Sequence, residues 1–194
     1  MPRPLALLLG SILAAIGVGC VQEVDLLGAG SEGTGGAGAE LRFLELFADD
    51  PLRRTADLEN GVYGSVLQDG EIRNRNGELD FGWYHAGEFT VGIQGGDAGF
   101  ILDLGTDADL GLALGSGGSG FGALHLSTAG GASTFGYAPA DAVFDAGTAD
   151  HALVAQAHVY VIRIGRAGGD LVFKALAADL TSPTRVVLDW LRLR

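Results

Sequence analysis

Two stretches near the end of this chain alternate with a period of two, and that period fixes what kind of element they can form. In Thr184–Leu193 the residues Val186, Leu188 and Trp190 fall on one face, with Val187, Asp189 and Leu191 on the other. In His158–Ile164 the set Tyr160, Ile162 and Ile164 alternates with Val159, Val161 and Arg163. Successive side chains of a strand point to opposite faces, so both stretches read as strands rather than helices. Gly165-Arg166-Ala167-Gly168-Gly169 follows the second stretch and supplies the positive-φ residues of a hairpin, with Leu171–Ala175 as the return strand. Further strands are expected at Leu41–Phe47, Glu71–Arg75, Leu79–Tyr84, Phe89–Gln94, Phe100–Leu104 and Phe121–Ser127, most of them separated by Gly, Asn or Asp. Helix signals are few. Asp50 before Pro51 suggests one short helix over 51–59, and Ala138–Ala146 a turn or two more. A parallel α/β fold needs helices of about 10–15 residues between strands, and none is visible. The fold class expected is all-β, an antiparallel β-sandwich or open barrel.

The start of the chain is of another kind. Met-Pro-Arg-Pro leads into the apolar run Leu5–Val18, which ends on Gly19-Cys20. A short basic head, an apolar stretch and a small residue before a cut are the parts of a secretory signal peptide. The run is shorter than the roughly 20 residues a membrane-spanning helix needs. Ile16-Gly17-Val18-Gly19-Cys20, which holds the only cysteine of the chain, resembles the lipobox of bacterial lipoproteins. The resemblance implies cleavage before Cys20, lipidation of that residue and a stable membrane anchor. Val21 in place of an aspartate implies the outer membrane. The domain plan is then a signal peptide over 1–19, lipidated Cys20 with a Gly-rich tether over 20–39, and one extracytoplasmic β domain over 40–194. With Cys20 lipidated no thiol remains, so the domain is held by its core, for which 47 % hydrophobic residues are sufficient.

The formal charge of −12 argues against nucleic acid as a partner. Between Arg75 and Arg163 there is no Lys or Arg, while Glu78, Asp80, Glu88, Asp97, Asp103, Asp107 and Asp109 recur. A solvated acidic face is the expectation, with a cation-binding patch as the sharper alternative. The pattern GxGxxG occurs at 28–33, 33–38 and 115–120. None of the three lies between a strand and a helix as a dinucleotide site requires, and 115–120 is expected to be a long loop. No serine stands in a GxSxG elbow. Asp107-x-Asp109-x-Gly111 matches only part of a calcium loop and lacks the distal glutamate. The four histidines, His85, His125, His151 and His158, form neither HxxxH nor HExxH, so no metal site is expected of them. Histidine is nonetheless the side chain that would hold a haem iron in a domain without cysteine. His151 and His158 are an odd number apart, so on one continuous strand they would face opposite ways.

The ending His158-Val-Tyr-Val-Ile-Arg163, Leu171-Val-Phe-Lys-Ala175 and Arg185-Val-Val-Leu-Asp-Trp190 is similar to the close of the HmuY-like lipoproteins, lipid-anchored all-β proteins with haem-capturing members. The residues that carry the likeness are His158, Tyr160, Arg163, Lys174 and Trp190. It implies a binding function, with haem among the ligands, but carries haem ligation onto no one histidine; His85, His125, His151 and His158 are candidates by their chemistry alone. The same residues also suit a plain sheet, with Tyr160 and Trp190 in its core and Arg163 and Lys174 paired to acids on neighbouring strands. The function expected is non-catalytic binding of a ligand or partner at the cell envelope. A structural or assembly lipoprotein is the alternative, and an envelope hydrolase comes third.

Overall fold

The computed structural model describes residues 40–92, 99–129, 132–136, 142–143 and 149–193. All of them belong to one compact unit, Gly35–Arg194. Cys20, the segments expected to be signal and tether, the first two glycine patterns, Asp97 and most of the short helix expected at Ala138–Ala146 lie outside the described residues.

The first strands are β1 (Arg42–Phe47), β2 (Thr55–Asp57), β3 (Val62–Tyr63), β4 (Ser65–Gln68), β5 (Glu71–Asn74), β6 (Leu79–Phe81), β7 (Glu88–Val91) and β8 (Gly99–Thr106). Two short helices follow, α1 (Asp107–Ala113) and α2 (Gly120–Ala123). The rest is strand: β9 (His125–Ala129), β10 (Ala132–Gly136), β11 (Ala142–Val143), β12 (His151–Leu153), β13 (His158–Ile164), β14 (Leu171–Ser182) and β15 (Arg185–Arg192).

Two five-stranded sheets make a sandwich. The first has the order β1-β15-β14-β13-β8 and the second β12-β7-β6-β2-β3, and the pairings within both are antiparallel. β9, β10 and β11 form a small separate sheet, and β4 and β5 a hairpin. The hairpin turns on Asp69-Gly70, both at positive φ, the geometry that gives a two-residue loop the twist its strands need.

The alternation seen in the sequence decides the packing. Tyr160, Ile162 and Ile164 of β13, Leu171, Phe173, Ala175 and Ala177 of β14, and Val186, Leu188 and Trp190 of β15 point into the sandwich. There they meet Ala56, Leu79, Phe81, Phe89 and Val91 of the second sheet. The opposite face of the first sheet is also covered. Val159, Val161 and Val172 pack with Leu110 of α1, Leu124 and the half-buried Phe121 in a second apolar cluster. Phe89 stands edge-on to Tyr160, with ring centroids 5.5 Å apart. Two polar links cross the core. The Trp190 indole donates to the Leu58 carbonyl at 3.0 Å. The Tyr160 hydroxyl donates to the Leu153 carbonyl at 3.0 Å and accepts the Ala155 N–H at 2.9 Å.

Several local expectations are corrected. Residues 51–59 are no helix. Pro51–Arg53 is a turn, closed by Asp50 accepting from the Leu52 N–H and the Arg53 side chain, and Thr55–Asp57 is the strand β2. Phe121 belongs to α2, and the strand after it starts only at His125. The glycine-rich 115–120 is not a long loop but a tight link between α1 and α2. Asp107 and Asp109, the partial match to a calcium loop, start α1. Thr106 caps it by accepting the Asp109 N–H at 3.1 Å, and Asp107 Oδ1 accepts from the Phe121 N–H at 2.7 Å and the Ser119 hydroxyl at 3.0 Å, which joins the two helices.

Candidate functional site

The outward face of the second sheet carries polar side chains that are nonetheless buried. Register puts Thr55 of β2, Asp80 of β6, Thr90 of β7 and His151 of β12 in one row across four strands, with Glu88 two residues from Thr90 on the same face. The alternation that sends Leu79, Phe81, Phe89 and Val91 inward sends these outward. An open antiparallel face would leave them in water. Instead Asp80 is 2 % exposed, Glu88 6 %, and Thr55 and Thr90 are fully buried. The solvated acidic face expected from the sequence is therefore overturned at Glu78, Asp80 and Glu88.

These groups differ in how they are satisfied. Thr55 Oγ1 and the Ser65 hydroxyl are hydrogen-bonded at 2.8 Å. Glu78 is ion-paired to Arg166, which also holds Glu59, and Arg192 approaches Glu59 at 3.4 Å, an internally paired network at one end of the sandwich. Oε2 of Glu88 and the Thr90 hydroxyl, by contrast, have no hydrogen-bond partner, and the two carboxylate oxygens of Asp80 make no hydrogen bond of good geometry, with only the Trp83 backbone N–H in loose reach. Such groups are rare in folded proteins and costly. Their positive neighbours stand at the flanks. Arg54 Nε lies 3.4 Å from Asp80 Oδ2, and its guanidinium sits 4.5 Å from the centroid of the half-exposed Trp83 ring. His151 Nε2 lies 3.9 Å from Glu88 Oε1 while its Nδ1 bonds Asp150 at 2.9 Å. Burial pushes the Asp80 carboxyl up to about 6, against the opposing pull of Arg54 and of the Trp83 backbone N–H. The hydrogen bond to Asp150, aided by the charge on Glu88, raises His151.

The four histidines are not brought together. His85 is exposed in the β6–β7 loop, His125 opens β9 with Nδ1 3.1 Å from the Ala123 carbonyl, His151 is on the second sheet and His158 on the first, 3.0 Å from both Asp103 oxygens. Each is on a separate element, and His151 and His158 each face a carboxylate rather than an apolar slot. The residues present do not fit haem. Among the described residues no group of three or more His, Cys, Asp or Glu side chains could hold a metal ion. The residues of the C-terminal likeness are also divided. Tyr160 and Trp190 lie in the core, while Arg163 and Lys174 are on the outer face of the first sheet. Arg163 pairs with Asp170 as the plain-sheet reading expects, at 2.6 Å. Lys174 does not pair with an acid. Its ammonium donates to the carbonyls of Phe121 and Leu124, the latter at 3.0 Å, and lies 4.7 Å from the Phe121 ring centroid. Burial pushes it down to about 8.

Sequence reasoning noted Asp80 and Glu88 only as charges and passed over Thr55, Thr90 and Arg54. The signal that could have found them was polar residues alternating with Leu79, Phe81, Phe89 and Val91, but that pattern is the ordinary mark of a wet face.

Fold and site define a class, an antiparallel β-sandwich with a helix layer over one sheet and a buried polar row on the other. No family model matches the chain, and neither a curated protein nor a solved structure matches it. Among the described residues no helix is long and apolar enough to cross a membrane.

Proposed function

We propose that the protein is a lipid-anchored cell-envelope protein whose β-sandwich binds a ligand or partner without catalysing a reaction. The observation that carries the binding part is the set of buried polar atoms on Asp80, Glu88 and Thr90 that make no hydrogen bond of good geometry. A fold retains such groups at a cost, and a ligand that supplies the donors removes the cost on binding. The anchor part rests on Cys20 behind its apolar run. Metabolic labelling with a fatty acid, followed by membrane fractionation, tests it. The full chain is expected to take up label and sediment with outer membranes, and Cys20→Ala to do neither. Unlabelled, freely released full chain would overturn the anchor.

A further inference from the structure

The proposed binding function can be given a ligand chemistry, and the inference rests on that reading. The groups facing the row are Arg54 and Thr55 on and beside β2, Asp80 on β6, Glu88 and Thr90 on β7, and Asp150 and His151 at β12, with Ser65 of β4 alongside. Asp57, the next outward residue of β2, is occupied by Asn60, whose backbone and side-chain N–H groups both bond it. What is left open is specific. Three atoms, Asp80 Oδ1, Asp80 Oδ2 and Glu88 Oε2, are pure acceptors on ionisable carboxyls, and the fourth is the hydroxyl of Thr90, which lies opposite Asp80 and two residues from Glu88.

A ligand for this set must bring several donors and positive charge into a small space. A neutral polyol brings donors without charge. A bare divalent ion is poorly served, because no cluster of three or more ligating side chains is present among the described residues. A primary ammonium brings three N–H donors and one charge at a single atom. It matches three open carboxylate oxygens, and the hydroxyl of Thr90 can accept a weaker contact. Arg54 is the residue that must yield. Its Nε reaches Asp80 only at 3.4 Å, outside good hydrogen-bond length, and its guanidinium leans on Trp83, which is 40 % exposed. Arg54, the more exposed of the pair, therefore holds Asp80 by a long ion pair only, and its long side chain can swing aside along the indole.

We propose that Asp80, Glu88 and Thr90 form a binding site for a primary alkylammonium group, with Arg54 as the displaceable cover and Trp83 at its rim. The ammonium could belong to a free amine or to a lysine side chain of a partner; the recognition chemistry is the same.

The test is calorimetric titration of the full chain with cadaverine, with Nα-acetyl-lysine amide and with calcium chloride, each followed in parallel by tryptophan fluorescence. Trp83 reports the site, and the buried Trp190 serves as the silent reference. Expected is saturable binding of at least one amine with a change in emission that Trp83→Phe removes, and a loss of affinity of about tenfold or more in Asp80→Asn and in Glu88→Gln. Cadaverine binding alone points to free amines, and binding of the lysine amide to a protein partner. Affinity falls as pH drops through about 6, where Asp80 takes up a proton. Circular dichroism of each variant separates loss of site from loss of fold. Calcium binding without amine binding, or amine binding unchanged in both carboxylate variants, would overturn the assignment. So would no binding at all from pH 6 to 9. None of these results touches the anchor on Cys20, so the site can fail while the envelope reading stands.

Discussion

Asp80 is ionised at neutral pH in a buried place where Arg54 and the Trp83 backbone N–H offset only part of the cost of its charge. Its folded value of about 6 lies above the unfolded value near 3.8. Between the two the folded state holds the proton more tightly, so stability is greatest below about 4 and is lost as pH rises through 6. The shift corresponds to roughly 3 kcal/mol. Asp80→Asn is therefore expected to raise the unfolding free energy above pH 7 by about 1–3 kcal/mol, and to flatten the pH dependence between 4 and 6. Urea melts across that range check it. A variant that gains stability while losing amine affinity is what a binding group held at a cost should give. Lys174 runs the other way. Its folded value of about 8 lies below the unfolded 10.5, so the unfolded chain holds the proton in that window and stability rises with pH from 8 to 10.5. Lys174→Met is expected to remove that rise, as read by melts of both proteins from pH 7 to 11. Below pH 8 it loses the two carbonyl contacts that hold α2, a loss of about 1–3 kcal/mol offset by removal of the buried charge.

At the scale of elements, the period-two strands were the most legible part of the sequence. β13 was bounded to the residue and β15 within one, because both are long, buried on the core side and built from β-branched residues. β2, β3 and β4 were not legible, since two to four residues carry too little period to separate from turn. α1 was missed because its Thr106 cap and acidic first turn sit in a stretch whose Gly111 and Gly105 argue against helix. That Gly111 has a reason visible only in three dimensions. Its missing side chain lets α1 meet the link to α2, where a Cβ would land on the Gly118 carbonyl. Gly111→Ala is expected to push the helices apart and destabilise by about 1–3 kcal/mol despite the better helix propensity of alanine. Hydrogen exchange should show the loss first in α1 and α2, with the sandwich strands still protected. The candidate site was half legible. Its carboxylates stood out as charges, but their burial depends on contacts between residues far apart in sequence, such as Arg54 with Trp83 and Asp80.

At the scale of the molecule, two side chains do more than fill the core. Tyr160 and Trp190 each carry a hydrogen bond from the first sheet to backbone of the second. Tyr160→Phe keeps the ring but leaves the Leu153 carbonyl and the Ala155 N–H without their partner. A cost of about 1–3 kcal/mol is expected, seen as a lower urea midpoint with an unchanged slope, because the cooperative unit is the same. Ring-filled packing alone would predict almost no change.

The pairing of β1 with β15 has a mechanical side. Arg42, where the strands of the described residues begin, lies opposite Trp190, close to where they end, and the two strands run antiparallel. A pull applied between those ends would part the ladder one rung at a time, like a zipper, instead of loading all its rungs together in shear. Under force applied between those ends the domain should open at low tension from this seam, with β1 peeling first and exposing the inward Leu44 and Leu46.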